Sequence, residues 1–153
     1  MSRAFVKETD DATIELPERP VSPHPNLVTA AGLAALDREI ERLTAAHATA
    51  LASDDKAAAA AAARDLRYFN ARRASAQIVE PAADRSTVQF GATVTVRRDG
   101  ARQQTFRIVG EDEAEPSRGT LSHASPLARA LFGKAVGDIV EIAGGEAEIL
   151  RIA

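Results

Sequence analysis

Two adjacent carboxylates, Asp54 and Asp55, open the stretch "SDDKAAAAAAARD". Neighbouring carboxylates suit a hard divalent cation, with waters or substrate phosphates filling the remaining positions. Such a pair on a protruding turn would complete a Mg²⁺ site in a partner rather than hold an ion alone. The same acids equally suit the first turn of a helix, where a carboxylate meets the positive end of the macrodipole. Residue types leave both readings open.

The rest of the chain offers little else for catalysis. Its three histidines, His24, His47 and His123, show neither HxH nor HExxH spacing. With no cysteine, disulfides, thiolate metal sites and thiol nucleophiles are excluded together. There is no GxSxG elbow and no phosphate-binding GxxxxGK[ST] loop, and Gly144-Gly145 reads as a hairpin turn. Arg64, Arg67, Arg72 and Arg73 read as a solvated helix face ahead of a partner-facing or RNA-facing stripe. The acidic run "EDEAEP" from Glu111 to Pro116 reads as a polar loop between strands rather than a cation site.

Charge narrows the partner classes. Residues 1–28 carry three basic and five acidic side chains, 29–80 seven of each, and 81–153 nine and ten. No segment has the basic excess of a protein held mainly by phosphates. No apolar run approaches the ~18 residues of a membrane span, and the N-terminus has no hydrophobic signal core. The expectation is a cytoplasmic protein with no membrane partner, monomeric, binding no cofactor by itself.

Three segments must position these residues. Residues 1–28 contain Pro17, Pro20, Pro23 and Pro25, a density that forbids helix and predicts an extended arm, mobile or draped on the surface. The apolar groups at Phe5 and at Ile14 and Leu16 are its possible docking points. Residues 29–80 predict a helical hairpin. Thr29 is a candidate N-cap, and Leu33, Leu36, Ile40 and Leu43 recur three and four apart, a register that continues to His47 and Ala50.

A turn near residues 52–56 follows, with Ser53 or Asp54 as the expected cap of the second helix. The seven consecutive alanines should be helical rather than a flexible linker, because alanine is the best helix former. The seam resumes at Ala59, Ala62, Leu66 and Phe69. The second helix is expected to run to about Ile78 and Val79, stopped by Pro81. Alanine at the seam lets the arms approach closely and makes the tip slender.

From Val88 the texture becomes β: "VQFGATVTVRR", "QQTFRIVG", "TLSHA", "IVEIA" and "EAEILRIA" read as five short strands. "SPLARALFG" reads as a short helix with Ser125 as N-cap, Pro126 at N1 and Gly133 past its end. The fold class is therefore α+β: an antiparallel helical hairpin (a coiled coil) followed, in residues 81–153, by a small antiparallel-sheet unit with one short helix.

Three blocks carry a family resemblance: "VTAAGLAAL" at Val28–Leu36, "IVGEDEA" at Ile108–Ala114 and "SPLARALFGKAVGD" at Ser125–Asp138. In this order the chain resembles the bacterial GreA/GreB transcript-cleavage and elongation factors. The arm and short hairpin look more like a Gre-like branch similar to the regulator of nucleoside diphosphate kinase. The resemblance implies an FKBP-like carboxy-terminal domain docked on the rim of the RNA polymerase secondary channel. It also implies a coiled coil directed toward the active centre and the nascent RNA.

The polymerase contacts would fall on His123, Ala124, Ser125, Pro126 and Arg129. Ala124 stands where some members have an acid. Cleavage-stimulating members carry a D-x-S-E-N-A tip that helps hold the second catalytic Mg²⁺ of the polymerase. Here the acids are followed by "KAAAA", with no glutamate, and the arms are shorter by about three turns, roughly 16 Å.

The expected function is modulation of elongation from the secondary channel without stimulation of transcript cleavage. The alternative is a cleavage factor using Asp54 and Asp55. A distant third is a peptidyl-prolyl isomerase, suggested by the fold alone, for which Phe90, Phe106 and Phe132 are the available pocket aromatics.

Overall fold

The computed structural model describes residues 15–153. The expectations for Phe5 and Ile14 lie outside the described residues. Two strand residues, β1 (Leu27–Val28), lead into α1 (Ala30–Ala52), and α2 (Lys56–Ser75) returns to β2 (Gln77–Ile78). The sheet unit contains β3 (Thr93–Arg98), β4 (Arg102–Val109), β5 (Thr120–Ser122), the short helix α3 (Pro126–Leu131), β6 (Ile139–Ile142) and β7 (Gly145–Ile152).

The hairpin forms for the reasons its spacing suggests. Thr29 caps α1 by accepting the Gly32 N–H at 3.0 Å. Leu36, Leu43 and Ala50 are buried along one stripe of α1, facing Ala59 and Ala62 of α2. At 23 residues, α1 is about 35 Å long. The turn differs from expectation: Asp55, not Ser53 or Asp54, caps α2, its carboxylate accepting from Ala58 N at 3.0 Å. Ser53 instead ends α1, bonding back to Thr49, and Asp54 takes a left-handed φ of 55° to reverse the chain. Aspartate tolerates that conformation better than most residues.

The second helix also stops earlier, at Ser75. The two feet of the hairpin then pair as a short parallel ladder, Gln77 N donating to Asn26 O at 2.9 Å and Val79 N to Val28 O at 3.0 Å. Extended backbone at Ile78 and Val79 suits β-branched side chains, and this pairing replaces the last helical turn expected there.

The five-stranded sheet has the order β5-β4-β3-β7-β6. Three of its pairings are antiparallel, but β5 runs parallel to β4 because the chain crosses back through residues 110–119. The first strand begins at Thr93 rather than Val88. Gly91, at φ 83°, breaks the extended run, and Val88 is tied instead to Gly133 and Lys134. Val94, Val96, Ile108, Ala147 and Ile149 form the buried face, and α3 seals it with Ala128 and Leu131.

Leu27 and Val79 pack against this same core, fixing the hairpin feet to the sheet. Gly110 is required at that junction: a Cβ there would stand 2.6 Å from the Leu27 carbonyl oxygen.

Candidate functional site

The acidic loop after β4 is not a bystander. Glu113 receives Thr29 N at 3.2 Å, the Thr29 hydroxyl and Gly110 N at 3.1 Å, so a carboxylate sits against the N-terminus of α1. Asp112 accepts from Tyr68 Oη at 2.6 Å and from Arg72 Nε at 2.6 Å. Glu111 accepts from Ser22 Oγ at 2.8 Å and from Arg72 Nη2 at 3.2 Å.

Arg72 is the centre of this knot, only 1% exposed. Its Nη2 also donates to Asn26 Oδ1 at 2.8 Å, while Asn26 Nδ2 donates to the Arg72 carbonyl at 2.7 Å. Burial works against the Arg72 charge, but the hydrogen bond and charge of Asp112 outweigh it and hold its pKa above the ordinary value. Burial, then the bond to Asp112, pushes the Tyr68 phenol up to about 12. Thus the reading of residue 72 as part of a solvated face fails. The three-and-four register from Ala59 to Phe69 would continue to Arg73, which is exposed, whereas Arg72 is turned inward by the acids at 111 and 112 and by Asn26.

The proline-rich arm lies along α2. Glu18 pairs with Arg67 at 2.6 Å, and Arg19 pairs with Asp65 at 3.4 Å while stacking 4.0 Å over the Tyr68 ring. Arg73, by contrast, makes an exposed pair with Asp37 at 2.7 Å, the kind of surface pair that adds little stability.

At the far end, Asp54 and Asp55 are both exposed. One Asp55 oxygen is engaged by the α2 cap. No cluster of three or more potential ligands that could hold a metal ion joins them among the described residues. His47, on the seam register as expected, is half-buried and lines a groove beside these acids.

The loop before α3 presents a second surface. Ser125 caps α3 by accepting from Ala128 N at 3.2 Å, and Pro126 occupies the first turn. Pro126 and Arg129 are exposed, Ala124 and Ser125 half-buried. His123 is buried, its ring edge-on to Phe90 with centroids 5.7 Å apart and its Nε2 without a hydrogen-bond partner. Burial lowers its pKa, opposed by Glu111 and reinforced by His24 and Arg72. Its side chain therefore supports the loop from beneath while Pro126 and Arg129 form the outward face.

Comparison with known proteins places this architecture. The family described as "Transcription elongation factor, GreA/GreB, C-term" matches residues 83–153. A transcription elongation factor GreA from Cereibacter sphaeroides (strain ATCC 17025) is 37% identical over 140 residues, covering 78% of this chain and 90% of the relative. The chain belongs to the GreA/GreB family.

Other GreA/GreB relatives match over less. GreA of Paracoccus denitrificans is 45% identical over 82 residues, 50% of this chain and 53% of that protein. GreA of Alkalilimnicola ehrlichii is 43% identical over 88 residues, 54% and 56% respectively. The chain spans about half the length of these two relatives. Among solved structures, prokaryotic GreA/GreB from Nitrosomonas europaea is 23% identical, with 84% of this chain and 98% of that chain covered and a TM-score of 0.41. GreA factor homolog 1 from Thermus thermophilus is also 23% identical, with 85% and 99% covered and a TM-score of 0.39. No helix among the described residues is long and apolar enough to cross a membrane.

Proposed function

We propose that this GreA/GreB-family protein is an accessory regulator of RNA polymerase that inserts its hairpin into the secondary channel and modulates elongation without stimulating transcript cleavage. The observation that carries the second half of this reading is the tip. Its acids are Asp54 and Asp55, one of them engaged in capping α2, and the next residues toward the base are Lys56 and alanines. Holding a second Mg²⁺ in a partner's active centre calls for converging oxygen ligands. A turn with one uncommitted carboxylate and no following glutamate supplies too few. The regulator takes no metal of its own; any Mg²⁺ in the complex belongs to the polymerase.

The docking half rests on family membership and on the loop before α3. Pro126 and Arg129 form an exposed, rigid surface there, because Ser125 caps the helix and His123 fills the space beneath. Ala124 and Ser125 flank that surface. A small exposed patch of this kind contacts a partner without rearrangement.

Arg129 makes the cleaner test, because replacing Ser125 would also remove a helix cap. Arg129→Glu should weaken binding to core RNA polymerase at least tenfold while leaving the circular dichroism spectrum unchanged. Unchanged affinity would remove this loop from the contact. The cleavage-factor alternative, with Asp54 and Asp55 as metal ligands, needs both carboxylates within bonding distance of the polymerase metal.

A further inference from the structure

Three consecutive acids, Glu111, Asp112 and Glu113, leave one turn in different directions. The turn after β4 is closed by Glu113 N donating to Gly110 O at 3.2 Å. From it, Glu111 and Asp112 reach Arg72 of α2 at 3.2 and 2.6 Å. Glu113 reaches the start of α1 instead. A single loop of the sheet unit therefore grips both helices, each at its foot.

The grip on α1 has the form of a capping box divided between two units. In a box within one helix, the N-cap hydroxyl accepts the N–H three residues on, and a glutamate at that third position reaches back to the N-cap N–H. Thr29 makes the first of these bonds, accepting from Gly32 N at 3.0 Å. Residue 32, a glycine, has no side chain to make the second. Glu113, 84 positions away, makes it: one oxygen accepts Thr29 N at 3.2 Å and the other accepts the Thr29 hydroxyl. The start of a helix favours a carboxylate there.

Gly32 is the seat for that carboxylate. It is buried, and a Cβ on it would stand 2.2 Å from Glu113 Cδ. Glycine weakens a helix relative to alanine, so helix stability is given up at this position to admit a side chain from the sheet unit.

We propose that the turn Glu111–Glu113 is a two-point bracket that sets the tilt of the hairpin on the sheet unit, with Glu113 the positioning residue for α1, Asp112 that for α2, and Gly32 the seat of the Glu113 carboxylate. With one point released, the rod pivots about the other. Over the ~35 Å of α1, a tilt of about 10° moves the tip by about 6 Å. A metal–oxygen bond, by comparison, is roughly 2 Å. Its consequence for the polymerase, that the bracket decides where in the channel the tip stands, rests on the secondary-channel reading; the bracket itself does not.

The test reads the whole chain free in solution. Because the protein has no cysteine, Ala48→Cys on α1 and Gln103→Cys on β4, both at exposed positions, take one spin label each. Double electron–electron resonance then gives the distance distribution between rod and sheet, which should be single and narrow. Glu113→Ala and Gly32→Ala should each shift its mean by several ångströms or double its width. Combined, they should do no more than Glu113→Ala alone, because the new methyl group then meets no carboxylate. Gly32→Glu separates positioning from capping: a glutamate at 32 closes the box within α1, so helix content by circular dichroism holds while the distribution still shifts or broadens. An unmoved distribution in Glu113→Ala or in Gly32→Glu, or a double variant that sums the two single effects, would overturn the bracket. No polymerase is present, so a failure of the secondary-channel reading leaves these distances standing.

Discussion

At the base of the hairpin Arg72 is enclosed by Asn26, Glu111 and Asp112, whereas at the tip the helices meet through Ala50, Ala59 and Ala62. The base is a junction of four chain segments: the arm, both helices and the loop after β4. Each contributes a polar group that another segment satisfies. Such a network is stable only when complete, because a buried charge left unpaired is costly. At the tip the described helices depend on close backbone approach through these small side chains. The difference teaches a division of labour. The base fixes where the rod points, and the alanines keep its outer end slender.

The comparison can be broken most severely at Arg72. Arg72→Ala leaves Asp112, Glu111 and Asn26 facing an empty space and should destabilise the fold by about 3–5 kcal/mol. Urea unfolding checks this, and a loss under 1 kcal/mol would mean the base is not the anchor.

Removing charge at the tip should cost much less. Asp55→Ala deletes the α2 cap for about 1 kcal/mol, while Asp54→Gly should be neutral or slightly stabilising, because glycine adopts the left-handed turn conformation without strain. Similar losses for the two substitutions would show that the cap has been assigned to the wrong residue.

The smallest effect at neutral pH belongs to His123. Burial first, then His24 and Arg72, depress its folded pKa below 6.5, with Glu111 acting in the opposite sense. The unfolded chain then binds the proton more readily. The stability His123 contributes is present above pH 6.5 and is lost as pH falls through the lower, folded value. His123→Gln should flatten that part of the acid limb of the stability profile while leaving the neutral plateau little changed.

Much of this architecture was legible because it is periodic or local. The three- and four-residue intervals from Leu33 to Leu43 announced the first helix. Thr29 and Ser125 with Pro126 marked helix starts by side-chain chemistry that acts within three residues. The missed features depend on contacts distant in sequence.

The pairing of Leu27–Val28 with Gln77–Ile78 is a two-residue ladder spanning about fifty positions, too short to leave a strand pattern. Arg72 looked solvated because arginine usually is, and its acids lie about forty residues away. The choice of Asp55 over Ser53 and Asp54 as cap turned on one left-handed backbone angle, which three consecutive polar residues do not specify. At the candidate site, Asp54 and Asp55 were found by type, while the burial of His123 beneath the loop before α3 required the sheet to be in place.

The most direct measurement is transcript cleavage by a backtracked RNA polymerase complex with and without the protein. A channel-binding regulator with this tip leaves the cleavage rate unchanged or lowers it, and slows a cleavage factor added in competition. Acceleration of cleavage that disappears in Asp54→Ala or Asp55→Ala would contradict the account and make the tip a metal-holding one.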